Sequence, residues 1–175
     1  MHEKIAAEPF EDTAELRREV IGTCLELKEM GYIISTLGNI GVRVRQGLLV
    51  TPTRVEYNEM RAEDLVVVSW EGDTLGGHRL PTSEVHLHRI VLGSREDLSV
   101  LIHTHSPWAS SVACTGKAIP PIVEDMAQFI GGTVHCSRYV VNSGHIAFAE
   151  AALEAMGQSV TAALLANHGA IVGGV

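Results

Sequence analysis

The sequence contains no uninterrupted apolar run approaching the ~20 residues that a membrane-spanning helix needs. Its first residues, Met1-His2-Glu3-Lys4, lead into acidic residues and not into the apolar stretch of a secretory signal, so a cytoplasmic protein with no membrane partner is expected. Basic residues are scarce: 13 Lys and Arg stand against 21 Asp and Glu, a formal net charge of −8. Such a surface repels phosphate backbones and anionic headgroups alike, which argues against nucleic acid as a partner. Cys24, Cys114 and Cys136 form an odd set without Cys-x-x-Cys spacing. That fits neither a secreted disulfide framework nor a thiolate metal site, and leaves three reduced core residues as the expectation. Linkers, internal repeats and low-complexity tracts are also missing, so a single domain over residues 1–175 is expected. What the chain does have is 46% hydrophobic residues, enough for a substantial core at this length, together with nine histidines and seventeen glycines.

Between Glu11 and Met30 the apolar residues Leu16, Val20, Cys24, Leu27 and Met30 recur at steps of four and three, the period of one helix face, and Gly31 supplies a stop. Ile40, Val42 and Val44 alternate with Gly41, Arg43 and Arg45, and Gly47 separates them from Leu48-Leu49-Val50, a hairpin signature. Thr51-Pro52-Thr53 ends the second strand, residues 60–65 suggest a helical turn or two, and Val66-Val67-Val68 is a strand before the Glu71-Gly72-Asp73 turn. Pro81-Thr82-Ser83-Glu84 opens a helix that carries Val85, Leu87, Ile90 and Val91 and closes at Gly93. Residues 100–105 read as a buried strand, and Pro107 starts a third helix that Ile119-Pro120-Pro121 breaks. Residues 123–130 are weakly helical, 133–141 have strand composition, and 147–156 form an alanine-rich helix ended by Gly157. Residues 163–167 and 170–172 resemble strands flanking His168-Gly169. This alternation predicts an α/β fold.

Two residues at i and i+2 project from the same face of a strand, whereas on a helix they diverge by roughly 200°. His103-Thr104-His105, ending an apolar strand, can therefore aim both imidazoles at one point. His168 is the best candidate for a third nitrogen ligand, because it ends a second apolar strand and Gly169 after it allows close approach. Three histidines with an open position are the pattern of a catalytic zinc. The His-x-His pattern alone fits two buried rings satisfying local hydrogen bonds equally well. His86-x-His88 lies in a predicted helix, where the rings point apart and do not chelate one ion. Glu84 and His88, four residues apart, share a face, so His88 either orients Glu84 or is a plain packing residue. His2, His78, His135 and His145 have no partner at useful spacing and read as ordinary or solvent-facing.

Leu37-Gly38-Asn39, Thr51-Pro52-Thr53-Arg54 and Pro81-Thr82-Ser83-Glu84 each join small or hydroxyl residues to a turn. Hydroxyls, a side-chain amide and free N–H groups at a helix start are what a phosphate requires. Taken singly, each also reads as an ordinary turn or cap; their combination with a candidate zinc site is more informative.

In this order, Gly38-Asn39-Ile40, Thr51-Pro52-Thr53, Pro81-Thr82-Ser83-Glu84, His103-Thr104-His105 and Ala166-Asn167-His168-Gly169 resemble the class II aldolase/adducin family over nearly the whole chain. The resemblance implies a three-layer α/β/α sandwich around a mixed, mostly antiparallel sheet, and a homotetramer with active sites at subunit contacts. It implies one Zn2+ per subunit, or another divalent transition metal, on His103, His105 and His168, with Glu84 as the acid/base residue. It puts the substrate phosphate on Asn39, Thr53, Thr82 and Ser83, with Gly38, Arg54 and His88 supporting the site or touching substrate. The reaction implied is reversible retro-aldol cleavage of a small sugar phosphate, such as L-fuculose 1-phosphate, to dihydroxyacetone phosphate and an aldehyde. Glutamate at position 84 favours this over the related 4-epimerases, which usually carry aspartate there. Epimerase, dehydratase or decarboxylase chemistry, and a non-catalytic adducin-like binding module, are the alternatives. The module reading is disfavoured, since adducin-type domains are expected to lose metal ligands that are present here.

The chain departs from the family's pattern in places. Arg54 stands where the pattern has glycine, and Gly41 where it has serine. The tyrosine that a neighbouring subunit contributes falls near Glu124 or Asp125, and Arg54 could clamp a phosphate or a carboxylate or crowd the loop. Family members usually continue several tens of residues past the Asn-His-Gly motif, often with a catalytic tyrosine near the end, whereas this chain stops at Val175. The C-terminal part of the site is therefore expected to be missing or truncated.

Overall fold

The computed structural model describes residues 6–175; Met1-His2-Glu3-Lys4, and with it the reading of the N-terminus and of His2, lies outside the described residues. Helix α1 (Ala14–Glu29) starts at Thr13, whose hydroxyl accepts from the Leu16 N–H, and Gly31 in the left-handed region stops it. The hairpin follows as β1 (Gly38–Val44) and β2 (Gly47–Val50), then a 3-10 turn (Ala62–Asp64), β3 (Val66–Val68) and β4 (Thr74–Gly76). Next come α2 (Val85–Ser94), β5 (Val100–Thr104), α3 (Pro107–Ala113), α4 (Ile146–Met156), β6 (Ala162–Leu165) and β7 (Gly169–Gly174).

The strands form one seven-stranded sheet in the order β4-β3-β2-β1-β5-β7-β6, and every pairing between named strands is antiparallel. The parallel component reduces to two isolated bridges, Phe10 with Val44 and Cys136 with Leu164. Period-2 alternation divides the apolar side chains between the faces. Leu48, Val50, Val66, Val68, Leu101, Ala163, Leu165 and Ile171 pack with Leu87 and Val91 of α2 and Phe148 and Ala152 of α4. On the other face Ile40, Val42, Val44, Leu49 and Val67 meet Val20 and Cys24 of α1, while Ala162 and Leu164 meet Ala113 of α3. Helices on both faces of one sheet make the three layers.

Several local expectations are corrected. Glu11 to Thr13 precede α1, and α2 runs on through Gly93 to Ser94. Helix α3 ends at Ala113, well before Ile119-Pro120-Pro121, because Thr115 caps back on the Val112 carbonyl and Gly116 turns left-handed. Residues 133–141 form no strand; Val134 and Cys136 make only isolated bridges. Of the cysteines only Cys24 is a core residue, with burial pushing its thiol up to about 12, whereas Cys114 is exposed and Cys136 half-buried. No described helix is long and apolar enough to cross a membrane.

Candidate metal centre and active site

Position 39 of β1 and position 103 of β5 are paired in the antiparallel register, and His103 is in turn opposite Ile171 of β7. His103 has the parity of Leu101, so its ring lies on the α2 side of the sheet, and His105 follows just beyond the strand end. His168 sits in the tight turn between β6 and β7, not at the end of a longer strand, with Asn167 before it at φ 56°. Gly169 then passes so close to β5 that a Cβ there would strike the Thr104 carbonyl and lie 3.1 Å from the His103 ring. Gly38, at φ 118°, is equally constrained, since a Cβ would lie 2.9 Å from the His103 carbonyl oxygen. The Tyr57 hydroxyl, which burial keeps protonated, donates to the Gly38 carbonyl at 2.6 Å and fixes that loop.

The three imidazoles converge. Ring centroids are 4.8 Å apart for His103 and His105, 5.0 Å for His103 and His168, and 4.6 Å for His105 and His168. One nitrogen from each lies within 4.8 Å of the others, and no other such group of potential metal ligands occurs among the described residues. His103 Nδ1 is 3.0 Å from the Ala170 carbonyl, to which only an N–H can bond, so its Nε2 keeps a free lone pair. That Nε2 lies 3.2 Å from Nε2 of His168, close to the ~3.4 Å spacing that tetrahedral bonds of about 2.05 Å impose. The donor set therefore fits a divalent transition metal.

Glu84, at the N-cap position of α2, turns its carboxylate toward these rings instead of capping the helix. Oε1 is 2.9 Å from His168 Nε2, and Oε2 is 3.3 Å from His103 Nε2 and accepts from Asn39 Nδ2 at 2.7 Å. Asn39 Oδ1 in turn lies 2.6 Å from His88 Nε2. Burial alone would raise the Glu84 carboxyl, but the His168 hydrogen bond and the Asn39 amide outweigh it and hold it well below the usual range. Burial depresses His103, and pushes His105 down to about 4 and His88 to about 3, so these rings are neutral near pH 7.

A cavity of about 270 Å3 opens in front of the centre. Gly38, Asn39, Thr53, Arg54, Thr82, Ser83, Glu84, His105 and His168, all singled out in the sequence, line it. His103 and His88 do not; both are fully buried behind it. Asn39 differs from a simple phosphate contact in that its amide is engaged by Glu84 and His88. Thr82 and Ser83 precede α2 instead of starting it, and Thr82 Oγ1 accepts from the Glu84 N–H at 3.3 Å. Arg54 is exposed, adopts φ 58° and has no ion pair among the described residues. His86 turns to Arg89, away from His88, as the helical spacing requires, and His78 has a partner that spacing did not indicate, Asp64 at 3.1 Å. Sequence reasoning also missed Thr36, Ser143 and Tyr57; Asn142-Ser143-Gly144 looks like any turn, yet a Cβ on Gly144 would lie 3.2 Å from the Ser83 carbonyl oxygen.

Residues 18–175 match the Class II Aldolase and Adducin N-terminal domain. The chain belongs to this family. It is 38% identical over 159 residues to a 5-deoxy-D-ribulose 1-phosphate aldolase of Bacillus thuringiensis serovar kurstaki, covering 90% of this chain and 73% of that protein. It is 31% identical to an L-fuculose phosphate aldolase of Escherichia coli strain K12 over 157 residues, covering 90% and 72%. Among solved structures, an L-fuculose 1-phosphate aldolase with 31% identity superposes with a TM-score of 0.86 over 92% of this chain and 76% of that one. The α/β/α sandwich expected from the motifs is thus the fold of the family.

Proposed function

We propose that this chain is a zinc-dependent, cytoplasmic class II aldolase, a carbon–carbon lyase that cleaves a small ketose 1-phosphate reversibly to dihydroxyacetone phosphate and an aldehyde. The observation that carries this reading is the convergence of three imidazoles and an ionised glutamate on one wall of a hydroxyl-lined cavity. The names of the relatives support the substrate class. Zinc bound by His103, His105 and His168, one ion per subunit, supplies Lewis-acid stabilisation of negative charge developing on substrate oxygens. The hydroxyls of Thr53, Thr82 and Ser83 and the N–H groups at the start of α2 hold the phosphate. Asn39 anchors Oε2 of Glu84, and Oε1, 2.9 Å from His168 Nε2, is the oxygen that would exchange the proton at the substrate carbon from which the aldehyde separates once that nitrogen is a metal ligand. Because Glu84 is a carboxylate, it accepts that proton in the condensation direction and returns it on cleavage.

We further read the enzyme as a homotetramer. Exposed Ile122, Val123 and Phe129 flank Glu124 and Asp125, the segment that the family resemblance assigns to a subunit contact, and this supports the reading. Arg54 favours one second reading: its unpaired guanidinium on the cavity rim suits a substrate carboxylate, as in a metal-dependent decarboxylase, with epimerase and dehydratase chemistry on the same centre. One experiment separates these. Purified protein of known metal content is given a panel of ketose 1-phosphates, and dihydroxyacetone phosphate is followed by a coupled assay. Chelator-sensitive, zinc-restored release is expected; carbon dioxide or an epimer as the only product of the metal-loaded protein contradicts the aldolase reading.

A further inference from the structure

His88 is fully buried, lines no cavity and sits beyond the reach of substrate, yet its ring is held more tightly than packing alone requires. One side of it rests on Gly41 of β1, where a Cβ would lie 2.5 Å from Nδ1 and 2.6 Å from Cγ. The other side presents Nε2 to Asn39 Oδ1 at 2.6 Å. Nδ1 is buried and has no hydrogen-bond partner, the one such side-chain atom among the described residues.

These contacts allow a single assignment of protons. A proton on Nδ1 would be buried without an acceptor, which costs more than leaving a bare lone pair there, so the ring carries its hydrogen on Nε2. Nε2–H can donate only to an oxygen, which turns Oδ1 of Asn39 toward His88 and Nδ2 toward Glu84. The reverse amide orientation would set Oδ1 against the Glu84 carboxylate, two acceptors face to face. We propose that His88 is a positioning residue: through Asn39 it fixes the orientation of the Glu84 carboxylate and thereby decides which of its oxygens is free to move a proton. The i, i+4 spacing of Glu84 and His88 places both on one face of the chain, and the structure inserts the β1 amide between them, so the fixed sheet, not the helix alone, sets the carboxylate. The proposal rests on Glu84 being the acid/base residue.

The test combines a tautomer measurement with three variants in the full chain. In protein labelled with 15N-histidine, one ring, assigned by its loss in His88→Gln, is expected to be neutral, protonated on Nε2 and bare on Nδ1, with and without zinc. His88→Phe fills the space but cannot donate, and kcat is expected to fall about 10–100-fold, the usual cost of losing a supporting hydrogen bond behind an active-site group, while KM and zinc content stay near the parent's. His88→Gln carries an N–H near the position of Nε2 and is expected to recover most of that loss. An Nδ1–H tautomer or an imidazolium at neutral pH overturns the proposal, and this holds even where the Phe variant fails to fold. So does a parental kcat in His88→Phe when Glu84→Gln is inactive, or an equal fall in both His88 variants that tracks a lowered melting midpoint. Parental turnover in Glu84→Gln identifies a different failure, that of the acid/base reading itself, and removes the proposal with it.

Discussion

Asn39 on β1 and His103 on β5 are direct cross-strand partners, and both reach the same oxygen of Glu84, Asn39 by donating to Oε2 at 2.7 Å and His103 with Nε2 3.3 Å away. The carboxylate is therefore tied through Asn39 to the middle of a seven-stranded sheet, while the hydroxyls proposed to hold the phosphate sit on loops at the strand ends. Chemistry on the rigid part and recognition on the loops is a division that allows the substrate to vary without disturbing the centre.

The proposed metal centre is tested by removing one of its two half-buried ligands. His105→Ala is expected to fold like the parent, since His105 follows β5 and belongs to none of the hydrophobic clusters, while bound zinc falls from about one ion per chain to near none, as three-ligand sites require. Elemental analysis after dialysis, with circular dichroism on the same sample, checks this. Full zinc occupancy in the variant would rule out His105 as a ligand.

Gly41 is required by contact and not by backbone conformation. Gly41→Ala places a methyl group 2.5 Å from His88 Nδ1, and the overpacking is expected to cost about 1–3 kcal/mol. Urea unfolding measures this; an unchanged midpoint would show that the ring has room to move.

Arg54 holds a left-handed backbone conformation that costs a non-glycine residue about 1 kcal/mol or somewhat more. Arg54→Gly is therefore expected to melt no lower than the parent and to bind inorganic phosphate more weakly, as read by calorimetry. Lower stability with unchanged phosphate affinity would make Arg54 a structural residue.

Asp64 links stability to pH. The Arg79 guanidinium at 2.8 Å, opposed by burial and aided by the Arg61 backbone N–H, holds its carboxyl below the usual range. A carboxyl depressed on folding binds fewer protons in the native state, so its stabilisation is complete above its unfolded pKa of about 3.9 and is lost as pH falls through the native value. Asp64→Asn is expected to lower the urea midpoint at pH 7 and to reduce its decline between pH 5 and pH 3. An identical decline in both proteins would place the acid sensitivity elsewhere.

Much of this architecture is legible in one sequence because period-2 alternation in residues 40–44 and the 3.6 period in residues 16–27 report burial directly. The three histidines are legible for the same reason: His103 and His105 share a strand parity, and Gly169 announces a close approach. The role of Asn39 is not, since its two hydrogen bonds run to Glu84 and His88, 45 and 49 residues away. Residues 133–141 mislead because their β-branched content belongs to an irregular segment whose single bridge to the sheet is Cys136 with Leu164, while Val134 pairs with Ile119 outside it. Tyr57 and Ser143 reach the site by loop geometry that no local pattern encodes.

The central claim is that Glu84 moves the proton beside the three histidines, and Glu84→Gln tests it most directly. The amide is nearly isosteric but exchanges no proton, so turnover on a cleaved ketose 1-phosphate is expected to fall about 10²–10⁴-fold. Zinc content and melting midpoint, measured on the same preparation, are expected to stay at the parent's values. A variant that binds zinc, melts like the parent and cleaves at the parental rate would contradict the account.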